Sequence, residues 1–179
     1  MKGIIFTELF SFIEEVAGIA FAEQVLEEAD LPNGGAFTAV GTYPAAHALA
    51  LVGKASELSG IPASKLCADY GEWLFARFTV LYPHLIEKYA TADDMLAHVG
   101  SHIHEEVTIM YPDAKPPEVR MERDGDVPVV LYNSHRPLSH VAVGLIRGCL
   151  THYGDPREVV WTPGEDLSQA RFSIVEKAA

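Results

Sequence analysis

Three histidines fall close together in Ala97-His98-Val99-Gly100-Ser101-His102-Ile103-His104-Glu105-Glu106-Val107. Imidazole is the commonest metal ligand of proteins, so the cluster is the first place to look for chemistry. His98 and His102 share the i, i+4 spacing that puts two donors on one helix face. No third ligand lies near them in sequence. The plain reading is therefore two solvated imidazoles opposite an apolar stripe of Leu96, Val99, Ile103, Val107 and Met110. His104 differs. It sits at the edge of that stripe beside Ala97 and Gly100, with Val107, Thr108 and Tyr111 following. A mid-helix glycine costs about 1 kcal/mol relative to alanine. A flat, bulky group lying against the helix next to His104 would justify that cost. Without one, His104 is a satisfied histidine at the core edge.

A second constellation is Val129-Val130-Leu131-Tyr132-Asn133-Ser134-His135-Arg136-Pro137. In an extended chain Tyr132, Ser134 and Arg136 share a face over about 14 Å. Two hydroxyls and a guanidinium fork suit a pair of carboxylates. Taken alone, the row also fits a half-exposed strand end with its polar residues outward.

The elements that must position these residues follow from periodicity and breakers. Ile4, Ile5, Leu9, Phe12, Ile13 and Val16 mark a first helix, interrupted at Gly18. Short helical stretches follow over 21–29, 43–59 and 61–80, then one through Leu85, Ile86 and Tyr89. Thr91 is the expected N-cap of a helix running to about Met110, with Asp93 and Asp94 in its first turn. Beyond Tyr111-Pro112 the pattern changes. Residues 118–122 and 127–134 flank Asp124-Gly125-Asp126 and read as a hairpin. A helix over 137–153 and a second hairpin, 159–162 with 170–175, complete the chain. The expected fold class is α+β: a helical N-terminal subdomain, about 1–60, then a mixed subdomain, about 61–179, with antiparallel hairpins and a packed helix. Together they make a single domain.

Composition narrows the function classes. The 179 residues carry 25 acids against 13 bases, a net charge of −12. Phosphate backbones and anionic membrane surfaces both call for dense Lys/Arg, so no nucleic-acid or membrane partner is expected. Cys67 and Cys149 make neither a disulfide framework nor a zinc motif, which points to a reducing, cytoplasmic setting. The first residues read as a helix and not an export signal. No nucleophile elbow, Walker A loop, His-Glu-x-x-His or dinucleotide fingerprint occurs.

Tyr132, Ser134 and Arg136, as Tyr-x-Ser-x-Arg downstream of a helical His104, Tyr111-Pro112 and Pro117, resemble the H-NOX family of haem-nitric oxide/oxygen binding domains. The Met1-Lys2-Gly3-Ile4-Ile5 opening and Asp69-Tyr70-Gly71 fit the same pattern, and the resemblance runs the length of the chain. It implies haem b (iron protoporphyrin IX) with His104 as proximal iron ligand. It also implies Tyr132, Ser134 and Arg136 on the propionates, and Pro117 and Ile5 pressing on the macrocycle. The distal positions correspond to Leu9, Leu74 and Val141. Oxygen-stable relatives carry a Tyr where Val141 stands, so an apolar pocket binding NO and CO but little oxygen is expected. A slip of one residue would bring His140 there instead, although Val141, Leu145 and Ile146 read as the buried stripe of their helix.

The resemblance further implies a non-enzymatic, monomeric gas sensor. Binding of NO would weaken the iron–His104 bond, and a separate histidine kinase or cyclic-di-nucleotide enzyme would read the change. The cysteine-based zinc site of some bacterial relatives cannot be built from Cys67 and Cys149 alone. Three other readings stay open: an oxygen-binding haem sensor, a haem carrier, and a non-haem metal hydrolase or oxygenase using His98 and His102.

Overall fold

A computed structural model describes residues 1–177. The chain divides into two compact units, Met1–Tyr70 and Gly71–Ala179. The first holds α1 (Gly3–Ala17), α2 (Ile19–Glu28), α3 (Ala45–Ser59) and the start of α4 (Ala63–Leu81). Gly18 has φ 88°, a conformation open to glycine, and it turns α1 into α2 with no intervening loop. Leu9, Phe12 and Ile13 are buried as their spacing requires and Phe6 is buried beside them, whereas Ile4 and Ile5 are half-buried and Val16, at the end of the stripe, is 60% exposed. The chain start is pinned to residues 38–43. Gly3 N–H donates to the Gly41 carbonyl, Lys2 bridges Thr42, and Phe6 stacks on Phe37 at 4.6 Å. A Cβ at Gly3 would lie 1.7 Å from the Thr38 carbonyl oxygen, so only glycine allows that approach. Tyr70 Oη donates to the Ile5 carbonyl at 2.7 Å and fixes α1 against α4 within this unit.

The second unit continues through α5 (Pro83–Ile86), shorter than its sequence pattern predicts, and α6 (Ala92–His98). Thr91 caps α6 as expected, its Oγ1 accepting from the Asp94 N–H. The single helix expected over 91–110 is a different object. Val99–Ile103 form a π turn, and α7 (His104–Met110) begins at His104. The added residue shifts the helical phase, so the stripe read from the sequence is buried at Leu96 but only half-buried at Val99, Ile103 and Val107. Met110 is exposed.

The strands β1 (Glu118–Asp124), β2 (Val127–Asn133), β3 (Glu158–Pro163) and β4 (Gln169–Val175) match the two expected hairpins within a residue or two. They do not stay separate. β2 pairs with β4, Val130 opposite Phe172 and Tyr132 opposite Ala170, giving one antiparallel sheet in the order β1-β2-β4-β3. α8 (Ser139–His152) closes the core with Val143, Ile146, Cys149 and Leu150 buried. Two glycines let α8 approach α4: a Cβ at Gly71 would lie 2.2 Å from the Val141 carbonyl oxygen, and one at Gly148 would lie 2.6 Å from Phe75 Cβ.

Arg157 ties the loop after α8 to the first turn of α6, its Nη2 donating to Asp93 at 2.6 Å and to Asp155. Those bonds hold the Asp155 carboxyl below its ordinary pKa. A carboxylate with a depressed pKa adds stability above its unfolded value, about 3.9, which is lost as pH falls through the folded value. Arg157→Ala is therefore expected to cost about 1–2 kcal/mol at pH 7. The gap from the unmodified chain should shrink below about pH 4 in urea titrations across that range.

Candidate functional site

His104 opens α7, and its side chain lines a hollow of about 680 Å³ with Ala97, Gly100, Ser101, Thr108 and Pro117. Cavities that hold small organic ligands measure about 300–1,000 Å³. Gly100 is at the wall for a reason the sequence did not give. A Cβ there would lie 2.2 Å from the Val119 carbonyl oxygen, so the glycine lets the π turn lie against β1.

The His104 imidazole is half-buried, and burial pushes its pKa down, with the Pro117 carbonyl pulling the other way. Its Nδ1 is buried without a hydrogen bond of good geometry. A neutral ring with a lone pair left over is what a soft-metal or iron site needs.

Tyr132 lies near the end of β2, 7% exposed. Ser134 and Arg136 do not continue the strand. The Ser134 N–H donates to the Ser168 carbonyl and its Oγ accepts the Arg136 N–H at 3.1 Å, so the chain turns toward α8. The expected straight row is thus a bent one, with its groups still together. Burial raises the Tyr132 pKa, with Ser134 and Arg136 pulling it back. Arg136 donates to the Lys115 carbonyl at 3.1 Å and makes no ion pair among the described residues. Lys115 leads directly into Pro116-Pro117, so one short segment connects the guanidinium to the wall beside His104. Lys115 and Ser168 give no sign of this in the sequence, because their contribution is backbone carbonyls alone.

The structure places no third His, Cys, Asp or Glu ligand with His98 and His102 among the described residues. His98 is exposed and its Nδ1 bonds the Asp94 carbonyl at 2.7 Å. His102, expected to be solvated, has both nitrogens occupied: Lys88 Nζ at Nε2 and Tyr89 Oη at Nδ1, each at 2.7 Å. No group of three His, Cys, Asp or Glu suited to a metal occurs among the described residues.

Of the other positions, Leu74 is 1% exposed on α4 and Val141 is half-buried on α8. Leu9 is buried and Ile5 half-buried on α1, within the first unit. His140 is not simply solvated. Its ring meets Trp161 edge-on at 4.9 Å, and burial lowers its pKa. Cys149 is fully buried, its thiol pushed up to about 12, and the Cys67 thiol is pushed up to about 11; burial is the leading cause in both.

A family model described as haem-NO-binding matches residues 2–160. The fold is similar to that of an unliganded Fe(II) H-NOX protein from K. algicida (29% identity, TM-score 0.91, 100% of this chain and 98% of that one). It is also similar to an H-NOX from Shewanella woodyi solved in the Fe(II)CO state (30%, 0.79, 99% and 95%). An H-NOX from S. oneidensis in the Fe(II)NO state shares the fold at 18% identity (0.87, 99% and 100%). No match was found among curated proteins.

Gly100→Ala should destabilise the protein by about 1–3 kcal/mol, because the added methyl meets backbone that cannot rotate away. Gly53→Ala on α3, where a Cβ meets nothing within 4 Å, is the matched control. It should be neutral or gain up to about 1 kcal/mol in the same urea titration.

Proposed function

Because this chain belongs to the haem-NO-binding (H-NOX) family, we propose that it is a haem-based gas sensor, with His104 as the proximal ligand of haem b. The observation that carries this reading is the His104 ring itself: its pKa is lowered by burial, its Nδ1 has no hydrogen bond of good geometry, and its side chain lies on the wall of an open hollow of about 680 Å³. The residues fit the group. His104 would hold the iron, and Arg136, Tyr132 and Ser134 would hold the propionates. Pro117, Ile5, Leu9, Leu74 and Val141 would supply apolar contact. When bound, haem would contribute a ferrous iron with one open position for NO or CO.

Each residue's part follows from its chemistry. The buried imidazole donates a lone pair without adding charge. Arg136 brings a cation that no carboxylate among the described residues claims, which matters in a chain of net charge −12 that must accept a dianion. The positive field there also acts on His135, whose pKa is lowered by burial, Arg136 and Lys115. Leu9, Leu74 and Val141 carry no hydrogen-bond donor in their side chains, so oxygen gains no polar stabilisation from them whereas NO and CO need little. We assign the output to a separate protein, a histidine kinase or cyclic-di-nucleotide enzyme, in the cytoplasm, with this domain acting as a monomeric, non-enzymatic sensor. The helix that His104 opens would carry the change outward.

Reconstitution with haem tests the reading. A Soret band is expected that His104→Gly weakens and added imidazole restores. A band indifferent to His104 would refute the assignment. Arg136→Ala should weaken haem binding about 10- to 100-fold, the worth of a charge-assisted hydrogen bond. Air should leave the ferrous spectrum unliganded or oxidised, whereas NO and CO should each shift it. A neighbouring kinase inhibited equally by the NO-free and NO-bound forms would favour a haem carrier.

A further inference from the structure

The turn immediately before His104 is π-helical, from Val99 to Ile103. A π turn closes its hydrogen bonds one residue later than an α turn, is rare, and persists only where its surroundings hold it. Two neighbours hold this one. The Val119 carbonyl of β1 occupies the space that a side chain on Gly100 would need. Lys88 and Tyr89, from the segment after α5, bond the two nitrogens of His102.

The directions of those bonds follow from the donors. An ammonium group only donates, so Nε2 of His102 presents its lone pair to Lys88 Nζ. Nδ1 then carries the ring proton and gives it to Tyr89 Oη, a tautomer assigned from the network. Tyr89 is firmly placed, 8% exposed with its ring stacked on His98 at 5.4 Å. A side chain on the π turn is thus anchored to a buried aromatic residue, two positions before His104.

We propose that His102, held by Tyr89 and Lys88, is a positioning residue for His104: it fixes the π turn and so sets the aim of the imidazole toward iron. This rests on His104 being the iron ligand. Released from its partners, the turn can tighten to α-helix. Each residue of an α-helix turns it by about 100°, so α7 would rotate by about that much relative to α6. The imidazole would then reach iron at a poorer angle and with a weaker bond.

The test compares His102→Leu, Tyr89→Phe and His102→Asn, whose amide nitrogen can still donate to Tyr89. Resonance Raman of ferrous haem-loaded protein reads the iron–histidine stretch, and hydrogen exchange of residues 99–104 reads the turn with and without haem. His102→Leu and Tyr89→Phe should lower the stretch frequency and speed exchange about tenfold, the worth of one hydrogen bond. His102→Asn should recover most of both. An unmoved stretch in both disruptive variants overturns the proposal, even if exchange quickens, because the contact would then be structural only. A stretch that survives His104→Gly instead refutes the iron assignment. In that event the positioning role falls with it, and exchange in haem-free protein reports on the grip alone.

Discussion

The structure turns on one imidazole, His104, whose buried Nδ1 has no hydrogen bond of good geometry although the Pro117 carbonyl lies close enough to raise its pKa. An unsatisfied buried polar atom costs about 1–3 kcal/mol, and most folds avoid it. Around His104 the neighbours are poorly equipped to satisfy it. Pro116 and Pro117 have no backbone N–H, Ala97 and Gly100 have no polar side chain, and the Thr108 hydroxyl is spent on the Glu105 carbonyl at 2.7 Å. The same wall carries the polar side chains of Ser101, Glu105 and Arg120, none of which bonds Nδ1.

The same economy governs charge. Several basic side chains meet carboxylates: Arg157 with Asp93 and Asp155, Arg171 with Glu122 and Asp124, Lys65 with Asp69, Lys54 with Glu57. Arg136 meets a carbonyl instead, and that carbonyl belongs to Lys115, two residues before Pro117. A neutral acceptor orients the guanidinium without neutralising it. The arrangement also ties the Tyr132, Ser134 and Arg136 row to the proline wall through three residues of backbone.

Local signals in the sequence found the elements whose causes are local. Asp124-Gly125 marks the first hairpin, Thr91 marks a cap, and Gly18 marks the break between α1 and α2. The union of the hairpins through β2 and β4 depends on packing between strands about forty residues apart, which no turn signal encodes. The π turn escaped because Leu96, Val99 and Ile103 keep a convincing α-helical period, and Gly100 was credited to a ligand when the Val119 carbonyl also requires it. His102 looked solvated because its partners, Lys88 and Tyr89, lie 14 and 13 residues away. The roles given to Tyr132, Ser134 and Arg136 came from family likeness, since spacing alone left a strand end as good an account.

β1 stands at one border of the sheet, and five of its seven residues are charged: Glu118, Arg120, Glu122, Arg123 and Asp124. A border strand offers unpaired backbone to any extended chain that drifts past, the usual seed of aggregation. Here such an intruder would have to strip water from alternating acids and bases before forming its first ladder bond. The strand that meets the π turn at Val119 thus carries charge along its border.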